Sequence, residues 1–205
     1  MAANYDNSAW FYDRLSRVIY GKALVKAQIY LLQYISAGST ILIAGGGTGW
    51  ILEEISKLHP SGLKITYVEI SAKMMALSRK RKVGGNIITY INEPVENLDG
   101  QSGYDVLISP FLFDNFTEQT LQSVFAHLHN QLKAGGIWLN TDFRLAGKWW
   151  QSFLLQSMII FFRIICRIEA KKLPEIEKCF EQHQLKVIGR KDFFGEFILS
   201  TAYQK

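Results

Sequence analysis

Apolar positions along the chain follow two alternating rhythms. Short runs rich in Ile, Val and Leu predict strands at Thr40 to Ala44, Lys64 to Val68, Asn86 to Ile91, Tyr104 to Ser109 and Ile137 to Thr141. Between them, apolar residues recur every three or four positions, which predicts helices from Gly49 to Leu58, Ser71 to about Lys82 and Thr117 to about Leu132. Ser71 and Thr117 are placed as N-caps. Pro60, Gly62, Gly84-Gly85 and Gly135-Gly136 punctuate the links. Upstream, residues 7 to 36 predict two helices broken near Gly21, the second with Leu24, Ala27, Leu31, Tyr34 and Ile35 on one face. Downstream the rhythm changes: helical patterns at 147–171 and 174–183 precede strand patterns at Leu185 to Phe193 and Phe197 to Tyr203, linked through Gly195 as an antiparallel hairpin. Apolar strands alternating with helices predict an α/β fold, a doubly wound, mostly parallel sheet with helices on both faces.

The most informative segment is Thr40-Ile41-Leu42-Ile43-Ala44-Gly45-Gly46-Gly47-Thr48-Gly49-Trp50. A buried strand runs into a glycine-rich turn that opens a helix. Glycine permits the tight turn and lets a ligand lie against the backbone, while the helix start presents unpaired N–H groups. The same pattern also serves an ordinary strand–helix turn. Four glycines in five positions favour a nucleotide-type cofactor over that plainer use.

Composition narrows the field. At 205 residues and 48% hydrophobic content, one domain with a sizeable core is expected. Cys166 and Cys179 lack metal-ligand spacing and read as reduced thiols of a cytoplasmic protein; the start of the chain has no apolar signal region. The net charge of +5 is mild. Its densest basic run, Arg79-Lys80-Arg81-Lys82, ends a predicted helix, where cations complement the dipole and stay solvated; no interleaved aromatics point to nucleic acid. The apolar stretch from Trp149 to Ile168 is interrupted by Gln151, Ser152, Gln156, Ser157, Arg163 and Arg167, and is expected to be an amphipathic helix rather than a membrane span.

Ala44, Gly46 and Gly49 nearly fit the dinucleotide fingerprint, and Gly45, Gly47 and Gly49 fit a G-x-G-x-G loop. Glu69, closing strand two, suits the ribose hydroxyls of either cofactor. Three features separate the readings: two helices before strand one, Ser71 and Met74 after the acid in VEISAKMMALSRKR, and the small polar residue followed by aromatics in YDVLISPFLFDNF. With the closing hairpin, this order resembles the Rossmann-like (class I) S-adenosylmethionine-dependent methyltransferases, particularly small ones related to quinone biosynthesis, over most of residues 5 to 142. The resemblance implies a seven-stranded sheet of order 3-2-1-4-5-7-6 with its last strand antiparallel. It also implies a single domain over 1–205: a helical lid at 1–37, a cofactor core at 38–142, a helical cap at 143–184 and a hairpin at 185–205. The cofactor-binding residues it implies are Gly45, Gly46, Gly47 and Gly49 in the loop, Glu69 on the ribose, Ile70 beside the adenine and Glu93 on the adenine amine. Ser109 and Phe111 are placed beside the methyl group, and Tyr5 and Tyr12 in the lid. Ile43 departs from the family, which often has an acid two positions before the first loop glycine.

Methyl transfer needs alignment and exclusion of water more than a catalytic signature. No triad is visible and no catalytic residue is assigned; Asp114, just after strand four, is the candidate proton acceptor. His59, His127, His129 and His183 read mostly as surface residues without metal-ligand spacing. Ser109-Pro110-Phe111 is a weak match to the signature of amino-group methylating enzymes, so the acceptor is expected to be a small, partly apolar molecule. The aromatic stretch of Trp149, Trp150, Phe153, Met158, Phe161 and Phe162 reads as a substrate cap, core, or a homodimer contact. The rival functions are an NAD(P)-dependent oxidoreductase and a non-catalytic protein that binds S-adenosylmethionine.

Overall fold

The computed structural model describes residues 18–98, 103–166 and 170–205. After α1 (Ala23–Leu31), strand and helix alternate: β1 (Thr40–Ala44), α2 (Trp50–Leu58), β2 (Ser61–Val68), α3 (Ala72–Ser78), β3 (Gly85–Ile91), β4 (Tyr104–Pro110), α4 (Glu118–Gln131) and β5 (Leu132–Phe143). Then come α5 (Trp149–Cys166), α6 (Ile176–Gln182), β6 (Lys186–Phe193) and β7 (Ile198–Gln204). The strands form a seven-stranded sheet of order β3-β2-β1-β4-β5-β7-β6. β1 to β5 pair in parallel, and β7 runs antiparallel between β5 and β6. This is the fold class that the residue pattern and the family resemblance imply.

The two-residue period of the strands divides the core. Leu42 and Ala44 of β1 face one cluster with Phe125 of α4, Trp138 of β5 and Phe180 of α6. Ile41 and Ile43 face the other, with Leu31 of α1, Ile51 and Ile55 of α2 and Met75 of α3. Both faces are therefore covered, which is why β1 reads as a continuous apolar run. A third cluster at the sheet's end joins Tyr20, Phe143, Phe197 and Ile198 to Leu155 and Ile159 of α5. The caps are where the sequence places them: Ser71 Oγ accepts from Met74 N at 3.2 Å and Thr117 Oγ1 from Thr120 N at 3.2 Å.

Several boundaries differ. β5 begins at Leu132 rather than Ile137, because Tyr104 pairs with Leu132 and, across an irregularity, Val106 pairs with Ile137. Gly135, at φ 75°, lies in that irregularity and donates its N–H to the Lys205 carbonyl at 2.9 Å, so the glycine pair continues the strand instead of ending a loop. α3 stops at Ser78, four residues short of the expected Lys82. The basic run beyond it is not simply solvated. The Arg79 guanidinium lies 4.8 Å from the Tyr90 ring centre, and Arg81 Nε donates to the Thr48 carbonyl at 2.9 Å.

Candidate active site

The glycine turn stands at the carboxyl end of β1, and its glycines do separate jobs. Gly45, Gly47 and Gly49 have φ of 71°, 65° and 78°, the left-handed region that favours glycine. Gly46 is needed for a different reason: a side chain there would run into the Tyr67 ring. At Gly49 it would press on Ser78 of α3, and at Gly45 on Leu112. Only at Gly47, among these four, would a Cβ meet no atom within 4 Å. The loop thus packs on its flanks and presents open space at Gly47.

β2 and β3 hold this loop in place. Glu69, buried after β2, accepts from Gly47 N through Oε2 and from Ser71 N through Oε1, both at 2.8 Å. The Tyr67 hydroxyl donates to the Gly47 carbonyl at 2.9 Å. Burial first, and then the Glu69 charge, pushes the Tyr67 phenol up, so it stays a neutral donor. Gly45 N and Gly46 N donate to the Val68 carbonyl at 2.9 and 3.2 Å. Asn92 Nδ2 donates to the carbonyls of Glu69 at 2.7 Å and Ile70 at 3.1 Å, which fixes the backbone beyond β2. Sequence reasoning passed over Tyr67 and Asn92. For Asn92 the available signal is a polar residue directly after apolar β3; Glu93, one position further on, is exposed.

A second wall rises from the ends of β4 and β5. Phe111 sits at φ 51°, donates its N–H to the Thr141 carbonyl at 2.7 Å, and packs its ring 5.0 Å from that of Phe143. Ser109 is fully buried: its hydroxyl donates to Asn140 Oδ1 at 2.8 Å and accepts from Trp138 Nε1 at 2.8 Å. Its bonding capacity is thus used inside the sheet. Ile43 is likewise wholly buried in the core.

Two acids meet at this wall. Asp142 Oδ2 accepts from Phe113 N at 3.1 Å and Oδ1 from Phe143 N at 3.0 Å. Burial nevertheless pushes its carboxyl up to about 7. Asp114 is held well above the usual range by burial and by the neighbouring Asp142 charge. Tyr20 lies close enough to feel Asp114, and burial, with that charge adding, raises its phenol. Tyr20 donates to Met158 Sδ of α5 at 3.2 Å, with Phe194 and Phe143 rings at 5.4 and 5.6 Å. Asp142 and Tyr20 carry no motif and were not selected from the sequence.

The two faces of α5 differ sharply. Gln151, fully buried, donates from Nε2 to the Gly195 carbonyl at 2.9 Å and accepts from Ala146 N at 2.7 Å, which pins α5 to the β6–β7 turn. The Trp150 ring packs 5.8 Å from both Phe194 and Phe197, whereas Trp149 and Phe153 face outward. His129 and His183 are half-buried against Phe125, their rings 5.1 Å apart, rather than free on the surface. Burial, followed by Lys205 and His183, pulls His129 down to about 4. Tyr5 and Tyr12 lie outside the described residues.

A sheet of order 3-2-1-4-5-7-6 with antiparallel β7, a glycine loop closing β1 and an acid closing β2 define the class of fold: Rossmann-like, as in methyltransferases. The family model described as a methyltransferase domain matches residues 41–136, a little under half of the chain. It is 34% identical over 127 residues to malonyl-(acyl-carrier protein) O-methyltransferase of Bacillus cereus, covering 60% of this chain and 46% of that protein. The chain spans less than half the length of the curated relatives it matches. Among solved structures it is similar to Burkholderia thailandensis 1,6-didemethyltoxoflavin-N1-methyltransferase, with TM-score 0.65, 15% identity, and 97% and 88% of the two chains covered. It is similar also to a TehB-like SAM-dependent methyltransferase of Corynebacterium glutamicum, with TM-score 0.60, 16% identity, and 97% and 96% covered. At these identities the two structures speak for the fold.

Proposed function

We propose that this chain is an S-adenosylmethionine-dependent methyltransferase that transfers the methyl group directly to a small, partly apolar acceptor in the cytoplasm. The observation that carries this reading is the Gly47 position: open space in front of a loop already fixed by Glu69 and Tyr67. A preformed cradle loses little freedom on binding.

The residues present fit the cofactor. Glu69 would accept from ribose hydroxyls with lone pairs beyond those taken by Gly47 N and Ser71 N. Ile70 would flank the adenine, its carbonyl held by Asn92, and Glu93 would accept from the adenine amine. Gly45 and Gly49 give the loop its turns. The bound cofactor supplies an electrophilic methyl on a sulfonium. Phe111 and Phe143 form the apolar wall that aligns an acceptor and excludes water, with Ser109 fixing β4 behind it through Asn140. Asp114 and Asp142 form a coupled pair that shares a proton near neutrality, and the ionised member of the pair is the candidate proton acceptor for an oxygen or nitrogen nucleophile. Within one domain, 38–142 is the core, 143–184 the cap and 185–205 the hairpin.

Incubation with methyl-labelled S-adenosylmethionine and fractionated cellular small molecules tests the reaction. Label in an organic-extractable product, with S-adenosylhomocysteine released, is expected. Tight binding of S-adenosylhomocysteine without transfer to any fraction would favour the non-catalytic alternative.

A further inference from the structure

The outer face of α5 has no use in the reading above. Trp149, Phe153, Ile160 and Ile164 are 82%, 72%, 56% and 75% exposed, and their spacing places them in one stripe along the helix. So large an apolar stripe on a surface signals a binding face. α5 is long and apolar enough, by length and composition, to cross a membrane, with 22% of it buried. Its other face, however, is committed to the domain. Gln151 is tied to Gly195, and Leu155 and Ile159 pack with Phe143 and Phe197. A helix held along one side can offer only its other side to lipid, so it lies on a bilayer rather than spanning it.

Charge decides what covers this face. α5 carries no Asp or Glu. Arg163 projects on the exposed side, and Lys171 and Lys172 are exposed just beyond the helix. At the opposite end Lys148 is paired with Glu196 at 2.6 Å and Arg144 with Asp192 at 2.7 Å. Among the described residues, the excess charge next to the stripe is therefore positive. Two copies packed through this face would bring like charges together, whereas anionic lipid headgroups would neutralise them. We propose that α5 seats the enzyme on the surface of an anionic bilayer, with the Trp149–Ile164 stripe in the acyl boundary and Arg163 at the headgroups. The inner face of the same helix lines the aromatic wall through Met158 and Trp150. Resting on the methyltransferase reading, this makes the acceptor a molecule dissolved in lipid, reached along α5.

Flotation of the full chain with vesicles tests the seat without knowing the acceptor. Vesicles of equal parts phosphatidylcholine and phosphatidylglycerol should carry the protein; phosphatidylcholine alone should carry at least about tenfold less. Raised salt should release much of it. Phe153→Glu with Ile160→Glu should abolish flotation, Arg163→Glu should weaken it about tenfold, and both should keep S-adenosylhomocysteine affinity, since none of these residues faces the glycine loop. Equal flotation of wild type and the double glutamate variant would overturn the proposal. So would a sedimenting dimer that Ile160→Glu splits, with no vesicle binding by wild type. Flotation by a chain that fails to bind S-adenosylhomocysteine would overturn the methyltransferase reading and leave the lipid seat standing.

Discussion

Glu69→Gln separates the structural and ligand-binding duties of one carboxylate. In the free protein both oxygens are occupied, by Gly47 N and Ser71 N at 2.8 Å each. The glutamine amide keeps a single acceptor oxygen, so one buried N–H loses its partner. A hydrogen bond to a charged group contributes about 1.5 to 3 kcal/mol, which for a chain of this size lowers the melting temperature by roughly 3 to 12 °C. Ligand binding should suffer separately. The ribose hydroxyls lose a charged acceptor, about another 1.5 to 3 kcal/mol, or about a tenfold to 150-fold rise in dissociation constant for S-adenosylhomocysteine. Scanning calorimetry reads the first quantity and titration calorimetry, well below the melting temperature, the second. A variant with lowered melting temperature and unchanged affinity would mean that Glu69 only braces the loop, and the ribose assignment would fall.

Gly47→Ala and Gly46→Ala form a matched pair. Gly47→Ala has room for its methyl but sits at φ 65°, so it should cost about 1 to 2 kcal/mol and weaken S-adenosylhomocysteine sharply; Gly46→Ala runs into Tyr67 and should chiefly unfold the loop. Equal ligand affinity in Gly47→Ala and wild type would show that nothing binds against that loop. The acid pair makes stability fall as pH rises. Asp142 is raised from about 4 unfolded to about 7 folded, so between those values the folded state holds more protons and loses stability with increasing pH. Melting temperature should drop from about pH 5 to about pH 8, less steeply in Asp114→Asn, which removes one of the two charges; parallel profiles would refute the coupling. Gln151→Ala strands the Gly195 carbonyl and Ala146 N–H, and should cost about 1 to 3 kcal/mol and speed proteolysis between α5 and β6; an unchanged digestion rate would show that Gln151 does not hold α5 to the β6–β7 turn.

The parts of the fold legible in the sequence are those written by local rules. β1 is buried on both faces and so reads as an unbroken apolar run, and Ser71 and Thr117 announce their helices because each side chain caps its own backbone. The start of β5 was hidden because Gly135-Gly136 looks like a terminator, while its partners Tyr104 and Lys205 are distant in sequence. The same holds for the site. The glycine loop and Glu69 are consecutive with their strands. Tyr67, Asp142 and Tyr20 matter only through contacts made across the sheet ends, which no spacing records. The four glycines looked alike as letters, yet Gly46 and Gly49 answer to packing against Tyr67 and Ser78, and Gly47 alone opens outward.

Thermal-shift titration of the wild-type chain with S-adenosylmethionine, S-adenosylhomocysteine, NAD and NADP bears most directly on the central claim. A ligand at about 100 times its dissociation constant stabilises the folded state by about 2.7 kcal/mol, roughly 5 to 11 °C here. The account predicts such a shift with S-adenosylmethionine and S-adenosylhomocysteine, and none with NAD or NADP. A shift with a nicotinamide dinucleotide alone would contradict it.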